Sequence, residues 1–527
     1  MLRINNIKIH AEKILNDNEI ELKLLRLKAA KVLKTKPEKI KSIAISKKSI
    51  DARECENIFF VYSVDIDINN CDKYIGLKNI SKISHFNYTV NKKNTKENIL
   101  VVGAGPAGLL AALVLSMAGI NPIVVERGKD ADSRINDIEN FFNDGKLNTN
   151  SNVQFGEGGA GTFSDGKLTT GINDKRIRFI LEQFVEAGAP EEILYSAKAH
   201  IGTDKLVKMV KGIRKKIISL GGNILFNTKL IDLVIKDGKL NAAIIENEGE
   251  ISQIDTNNVI LAIGHSARDT FEMLFRKGVL IQPKAFSIGV RIEHNQKILD
   301  KKRYGKFSEI LPPADYKLWT HLKNERSAYT FCMCPGGYVV NASSEEGCVV
   351  TNGMSYFKRN GKNANSALLI GVTPKDYKDE HPLSGVYFQR EIEKKAFIAG
   401  GGGYHAPFQM VGDFLNNRRT LEYGCIKPTI KPYAVGSDLR EVFPDYIIES
   451  LKLSIVELNK RLDGFSNPYA VITAAETRSS SPIRIVRDDL FNSNIKGLIP
   501  CGEGCGYAGG IISAAVDGMK CAETLLN

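Results

Sequence analysis

The sequence offers little that reads as a secretory leader. It begins MLRINNIKIHAEK, and charge returns before an apolar run can build, so the chain is expected in the cytoplasm. Cysteine is scarce and unpatterned: nine residues, an odd number, scattered over 527 positions. That excludes a disulfide framework and points to reduced thiols. The two tightest spacings, Cys332-x-Cys334 and Cys501-x-x-x-Cys505, lack the second pair or histidines that a zinc centre needs, and no metal is expected. Cys501 reads as a small core residue at a strand end, and a thiol pair that shuttles electrons is the lesser reading. Acidic residues are in short supply at the front. Residues 1–98 carry 20 Lys/Arg against 12 Asp/Glu, two-thirds of the net charge of +12. Such a surface can attract nucleic acid or an acidic partner. No aromatic stacking motif is interleaved with the lysines, so a solvated basic face is the better reading and a nucleic-acid partner the lesser one.

What is present begins with another absence. No charged residue falls between Glu97 and Glu126. By length and hydropathy this stretch resembles a membrane span. Its internal order argues against one. Ile99-Leu100-Val101-Val102 has strand character. Gly103, Gly105 and Gly108 then spell G-x-G-x-x-G, and a helix-forming run follows from Leu109 to Met117. Gly119 and Asn121-Pro122 stop it. Ile123-Val124-Val125 is a second strand that ends at Glu126. The first glycine permits a tight turn, the second lets backbone approach a pyrophosphate, and the third lets the helix pack on the sheet. The helix N-terminus offers free amides and a positive dipole end to phosphates. Glu126 is placed to accept hydrogen bonds from an adenosine ribose. The pattern predicts a dinucleotide site, and strands buried on both faces explain the missing charge.

Two later segments extend the pattern. In residues 222–264 an alternating strand ends near Ile235, Asp237-Gly238 makes a two-residue turn, and a partner strand runs to Ile245. Val259 to Gly264 follows as a buried strand ending in glycine. At the C-terminus, Leu498 to Pro500 is a strand, Gly502-Glu503-Gly504 follows, and a small-residue helix starts near Gly510.

Together, Val101 to Gly108, Ala262 to Gly264 and Gly497 to Gly506 resemble the motifs of glutathione-reductase-like FAD flavoproteins. Glu503 stands where that group usually has an aspartate on the ribityl chain. FGEGGAGTFSDGKLTT (155–170), AIGHSARDTFEML (262–274), GVRIEH (289–294), GEGCGYAGGIISAAVDG (502–518) and KKSIDAR (47–53) are similar to the uncharacterised bacterial FAD-dependent dehydrogenase family. The resemblance covers nearly the whole chain. It implies bound FAD, with contacts at Gly103, Gly105, Pro106, Ala107, Gly108, Glu126, Arg127, Gly158, Gly159, Gly264, Gly502, Glu503, Gly510 and Ile511. The second G-x-G-x-x-G, Gly156 to Gly161, follows a poor strand and opens no apolar helix. It reads as a loop lying against the flavin and its phosphates, not as a second nucleotide unit. The resemblance also makes two absences informative: the redox cysteine pair and second glycine fingerprint of flavoprotein disulfide reductases are missing. NAD(P)H therefore remains a candidate electron donor without a dedicated site of its own.

The expected fold is α/β, a Rossmann-type parallel sheet of glutathione-reductase-like layout with an inserted mixed α+β cap and a small βαββ-type front module. The expected division is 1–92, the front module; 93–284, the first part of the FAD-binding domain; 285–490, the substrate or cap domain; and 491–527, the rest of the FAD-binding domain. The length suits two or three domains. Candidates for chemistry are His265, after the middle strand; His405, in GGGGYHAPFQ (400–409); and Arg478, in TAAETRSSSPIR. Glu476 and Arg478 could line the flavin or form an internal ion pair. Ser266 to Asp269 reads as a capping box. Substrate candidates are Arg291 and His294, for an anion, with Tyr404 and Gln409 on a lid or pocket wall. The expected function is an FAD-dependent oxidoreductase acting on a small molecule. A flavoenzyme acting on tRNA and a non-catalytic redox sensor are the alternatives.

Overall fold

A computed structural model describes the chain except residues 15–17, 84–85, 94–97, 378 and 527. The charge-free stretch folds as the motif requires. Strand Ile99–Val102, helix Pro106–Met117 and strand Ile123–Val125 form the centre of a five-stranded parallel sheet. Asn258–Leu261 and Leu498–Pro500 extend it on one side and Asn223–Leu225 on the other. Strands Ile99–Val102 and Asn258–Leu261 lie side by side, so the glycine turn and the Ala262–Gly264 turn emerge at the same sheet edge. Helices Pro106–Met117, Arg176–Glu186, Thr203–Ser219 and Ile511–Leu526 share one apolar core against this sheet. Packing on both sides explains why helix Pro106–Met117 is apolar nearly all round. No described helix is long and apolar enough to cross a membrane.

The expected hairpin is present. Thr228–Lys236 pairs with Lys239–Asn247, with Asp237 and Gly238 both at positive φ (50° and 70°), as a two-residue primed turn requires. Glu250–Asp255 completes this antiparallel sheet.

Residues between the two halves of the nucleotide sheet build an eight-stranded mixed sheet. Its long central strands, Ser327–Asn341, Asn363–Val372, Phe286–Asn295 and Val471–Glu476, run antiparallel. Helices Ser384–Ala399 and Asp445–Asn459 bury one face of it.

The front module is a four-stranded antiparallel sheet, Ile40–Asp51, Phe59–Ile68, Leu2–His10 and Ile80–Lys82, with helix Asn18–Val32 against it. Read from sequence it is a separate folding unit. In the structure its core continues into Leu299, Tyr304, Phe307, Leu311 and Met333 of the cap. Lys48 also joins the nucleotide half through backbone bonds to Tyr195 (2.8 Å) and Ala197 (2.9 Å). Apolar side chains on both partners are buried by this contact, which ties the module to the rest of the chain.

Candidate active site: a chamber between two sheets

The glycine turn is shaped by two contacts and one space. Gly103 sits at φ 102°, and a Cβ there would lie 2.3 Å from the Ala262 carbonyl oxygen. A Cβ on Gly108 would lie 1.9 Å from the Gly103 oxygen. The fold itself demands both glycines. Gly105 differs: a Cβ there meets nothing nearer than Gly159 Cα at 3.9 Å. Gly105 is also the N-cap of helix Pro106–Met117, with proline at the first position and no side-chain cap. The first-turn amides are thus left for another acceptor, and the open space is on their side.

Glu126 does more than end a strand. Its carboxylate accepts hydrogen bonds from the amides of Ala104 (2.8 Å), Gly128 (3.0 Å) and Gly156 (2.9 Å). It clasps the first glycine turn, its own loop and the second glycine loop together while still lining the chamber. Beside it, Arg127 lies over the Phe155 ring and pairs with Asp269 at 2.9 Å. Lys229 reaches the same carboxylate at 2.6 Å.

The second glycine loop packs against the first. Gly158 donates its amide to the Ala104 oxygen at 2.8 Å, and Gly159 approaches Gly105. Arg134, fully buried, holds the loop by donating to the backbone oxygens of Asn152, Val153, Glu157 and Gly159 at 2.7–3.0 Å. Burial lowers its guanidinium to about 10, so it stays charged at neutral pH. Sequence reasoning missed Arg134, since only the folded loop supplies its partners.

These turns open on a chamber of about 870 Å³. On the nucleotide side it is lined by Gly103, Gly105, Pro106, Ala107, Glu126, Arg127, Gly159, Gly264, Gly502, Glu503, Gly510 and Ile511. Helix Ile511–Leu526 starts at its wall. The cap sheet closes the far side with Thr330, Cys332, Asn352 and Glu476, joined by Arg478 just past the end of strand Val471–Glu476. Burial pushes the Glu503 carboxyl up to about 7, opposed by Lys284. His265 also lines the wall, its Nδ1 3.1 Å from the Ser266 hydroxyl. Burial, aided by Arg478 and Arg268, holds its imidazole down at about 4, so it is neutral at pH 7. Lys167, Arg303 and Lys317 also line it, with no side-chain hydrogen bond or ion pair of their own among the described residues, though Lys167 faces the Asp165 charge. Lys198 and Asp315 pair across the rim at 2.6 Å.

Several expected site residues lie elsewhere. Gly108 is beneath the turn, locked by helix packing, and Gly158 faces a small apolar pocket behind it. Arg291 is buried in the cap sheet, where Glu476 accepts from it at 2.6 and 2.9 Å. His294 is bonded to the Phe465 oxygen at 2.9 Å within the core. The GGGGYHAPFQ segment is the connection from helix Ser384–Ala399 and the start of strand Ala406–Met410, not a chamber wall. His405 stacks edge-on with Tyr433, Tyr404 packs on Phe141 and Phe397, and Gln409 bonds the Arg418 oxygen and the Leu439 amide. Each was promoted by its polar chemistry, and each is held by contacts away from the chamber, although Nδ1 of His294 has no hydrogen-bond partner among the described residues. Arg478 does reach the chamber, but its guanidinium is held by Glu393 at 2.7 Å, and Arg268 binds that same carboxylate at 2.7 Å. Glu476 and Arg478 are thus both in internal ion pairs, though with Arg291 and Glu393 and not with each other. The capping box is also absent: the N-cap of helix Arg268–Arg276 is Ala267, Ser266 bonds Gln154 and His265, and Asp269 pairs with Arg127 and Lys229.

Comparison with known proteins adds three family matches. Residues 285–479 match the model described as "FAD-dependent protein, C-terminal domain-like", and 96–134 match an "FAD binding domain". Residues 1–67 match a domain of unknown function. An uncharacterized protein from Clostridium beijerinckii is 45% identical over 537 residues, covering 100% of this chain and 98% of that one. Among solved structures, the flavin-dependent brominase Bmp2 aligns at 14% identity and a TM-score of 0.38, over 82% of this chain and 78% of that one. A geranylgeranyl bacteriochlorophyll reductase-like protein from Thermoplasma acidophilum aligns at 13% identity and a TM-score of 0.34, over 81% and 77%.

Proposed function

The chain belongs to a family of FAD-dependent proteins, and on that premise we propose that it is an oxidoreductase acting on a small anionic molecule in the chamber. The observation that carries this is the chamber's double lining. One wall is a dinucleotide turn with space reserved at Gly105, and the other is the cap sheet. A cavity of about 870 Å³ lies in the upper part of the ~300–1,000 Å³ range of ligand sites.

The residues present fit FAD. The amides after Gly105 would receive the diphosphate, the Glu126–Arg127 end the adenosine, and Glu503 with the Gly510–Ile511 helix start the flavin end. Bound there, FAD supplies reversible two-electron chemistry at its isoalloxazine. The chain's own groups set the conditions. The N-terminus of helix Ile511–Leu526 favours negative charge beside it. Glu503, with its carboxyl near 7, can hold or release a proton at physiological pH. Neutral His265 accepts or donates a hydrogen bond without adding charge. His265 and Glu503 are desolvated on the inner wall, where charges interact more strongly. Lys167, Arg303 and Lys317 favour a substrate bearing a carboxylate or phosphate. An NAD(P)H donor would have to enter this same chamber.

The test is an anaerobic screen in which metabolites bleach the bound flavin or reoxidise its reduced form. Active compounds are expected to be anionic, and Lys167→Glu should raise their KM at least tenfold while flavin content is kept. Reaction confined to neutral or cationic compounds, or an unchanged KM in that variant, would overturn the assignment.

A further inference from the structure

Cys332 and Cys334 lie in strand Ser327–Asn341 on the cap side of the chamber. In a regular strand, residues two apart have Cα atoms about 6.7 Å apart. That is the outer limit for a disulfide, at about 6.8 Å. This strand is not regular. Phe331 faces Ala367 and Cys334 faces Asn365, so three steps on one strand match two on the other. The extra residue is a bulge, and Cys332 adopts a left-handed φ of 43° within it. The distortion leaves the Cys334 side chain folded back onto the Cys332 backbone. The Cys334 thiol donates to the Cys332 oxygen at 3.2 Å, which brings its sulfur back onto the residue that carries the partner thiol. Arg291 fixes that same oxygen from behind at 3.0 Å.

The pair is asymmetric. Cys332 is half-buried and lines the chamber, whereas Cys334 is fully buried. The neighbouring Cys334 side chain pulls the Cys332 thiol below its ordinary value against burial, with Lys167 and Arg291 adding to it. The same contact pushes Cys334 up. An accessible thiol with thiolate character beside a resolving thiol is the arrangement of a redox couple.

We propose that Cys332 and Cys334 form a dithiol–disulfide couple that exchanges two electrons with the flavin in the chamber. This rests on the flavin site described above. In the oxidising direction one S–S bond forms as the two thiols lose two electrons and two protons. The oxidised flavin takes up both electrons and two protons. The reverse direction reduces the disulfide and returns the flavin to its oxidised form. A bulged strand and a left-handed cysteine thus acquire a purpose that packing alone does not give them.

Cys501 and Cys521 provide an internal control. They too are in contact, but both are fully buried, and that contact with burial raises the Cys501 thiol. They are expected to remain thiols. The experiment uses the full-length FAD-loaded protein, oxidised with diamide, denatured in an alkylating agent and digested without reductant. The peptide carrying Cys332 and Cys334 should be two hydrogen masses lighter and unalkylated. Separately, anaerobic dithionite titration of the oxidised protein should consume four reducing equivalents per flavin, because a disulfide is a two-electron couple. Cys332→Ser and Cys334→Ser should each consume two. Alkylation at both positions, an adduct on Cys332 with Cys334 free, or a disulfide at Cys501–Cys521 would overturn the couple, as would two equivalents in the oxidised wild type. A chain that binds no FAD would instead sink the flavin site itself, so the two failures are distinguishable.

Discussion

Replacing Gly105 by alanine should separate ligand binding from folding. The backbone at Gly105, φ −77° and ψ −177°, is open to alanine. The new methyl would find Gly159 Cα at 3.9 Å, an ordinary contact, and nothing nearer. The folded protein without cofactor is therefore expected to melt within about 2 °C of wild type. Alanine is a poorer N-cap than glycine, a cost that its lower unfolded-chain entropy offsets. With FAD the methyl occupies the approach to the diphosphate. Hydrogen bonds weaken steeply once stretched beyond about 3.2 Å. Bonds to a charged acceptor contribute roughly 1.5–3 kcal/mol each. Losing one or two weakens FAD binding by about ten- to ten-thousandfold, at about 1.4 kcal/mol per decade. Gly108→Ala is the counterpart. Its methyl would lie 1.9 Å from the Gly103 oxygen, so it should lower the melting temperature before any ligand is added. Calorimetric titration with FAD and melting curves without it give both quantities. Wild-type FAD affinity in Gly105→Ala, or a melting loss as large as that of Gly108→Ala, would refute the reasoning.

Two further substitutions probe the walls. Glu126→Gln leaves an N–H₂ facing backbone donors among the amides of Ala104, Gly128 and Gly156. It should cost about 1–3 kcal/mol of stability even without FAD, seen as a lower denaturation midpoint; an unchanged midpoint would mean the clasp is dispensable. Glu503 holds its proton to about pH 7 when folded, against 4.5 for the free group. Its burial penalty is absent below about pH 4.5, grows as pH rises, and is complete above about pH 7. Glu503→Gln carries no such penalty, so its stability relative to wild type should climb across that window by up to about 3 kcal/mol and then level off. Urea unfolding of the cofactor-free proteins from pH 5 to 8 tests this, and a flat difference would contradict it.

The parts of the site that were legible in the sequence are those built by neighbours in the chain. The hairpin at Asp237-Gly238 and the helix start at Gly510–Ile511 need only local geometry, and the glycine spacing announces the turn Gly103–Gly108 even though the distant Ala262 carbonyl closes on Gly103. Glu126 was legible as a strand end, but its clasp depends on Gly156, thirty positions away. Arg134 depends on a loop folding around it. The substrate candidates Arg291, His294, Tyr404 and Gln409 were chosen for polar side chains, and long-range contacts hold them away from the chamber. Cys332 stayed obscure for the same reason. Its bulge exists only because Asn363–Val372 pairs with the strand, and C-x-C spacing alone does not specify a register break. Lys167, Arg303 and Lys317 come from separate segments that only the folded chain brings to one chamber.

Hydrogen exchange with and without bound FAD tests the location of the site most directly. The cofactor should protect amides that line one chamber from widely separated segments: 103–110, 126–128, 156–163, 262–266 and 502–511. The 400–409 connection should exchange as it does without FAD. Unchanged exchange in those five segments at saturating FAD, or protection concentrated in 400–409, would contradict the assignment of the chamber as the flavin site.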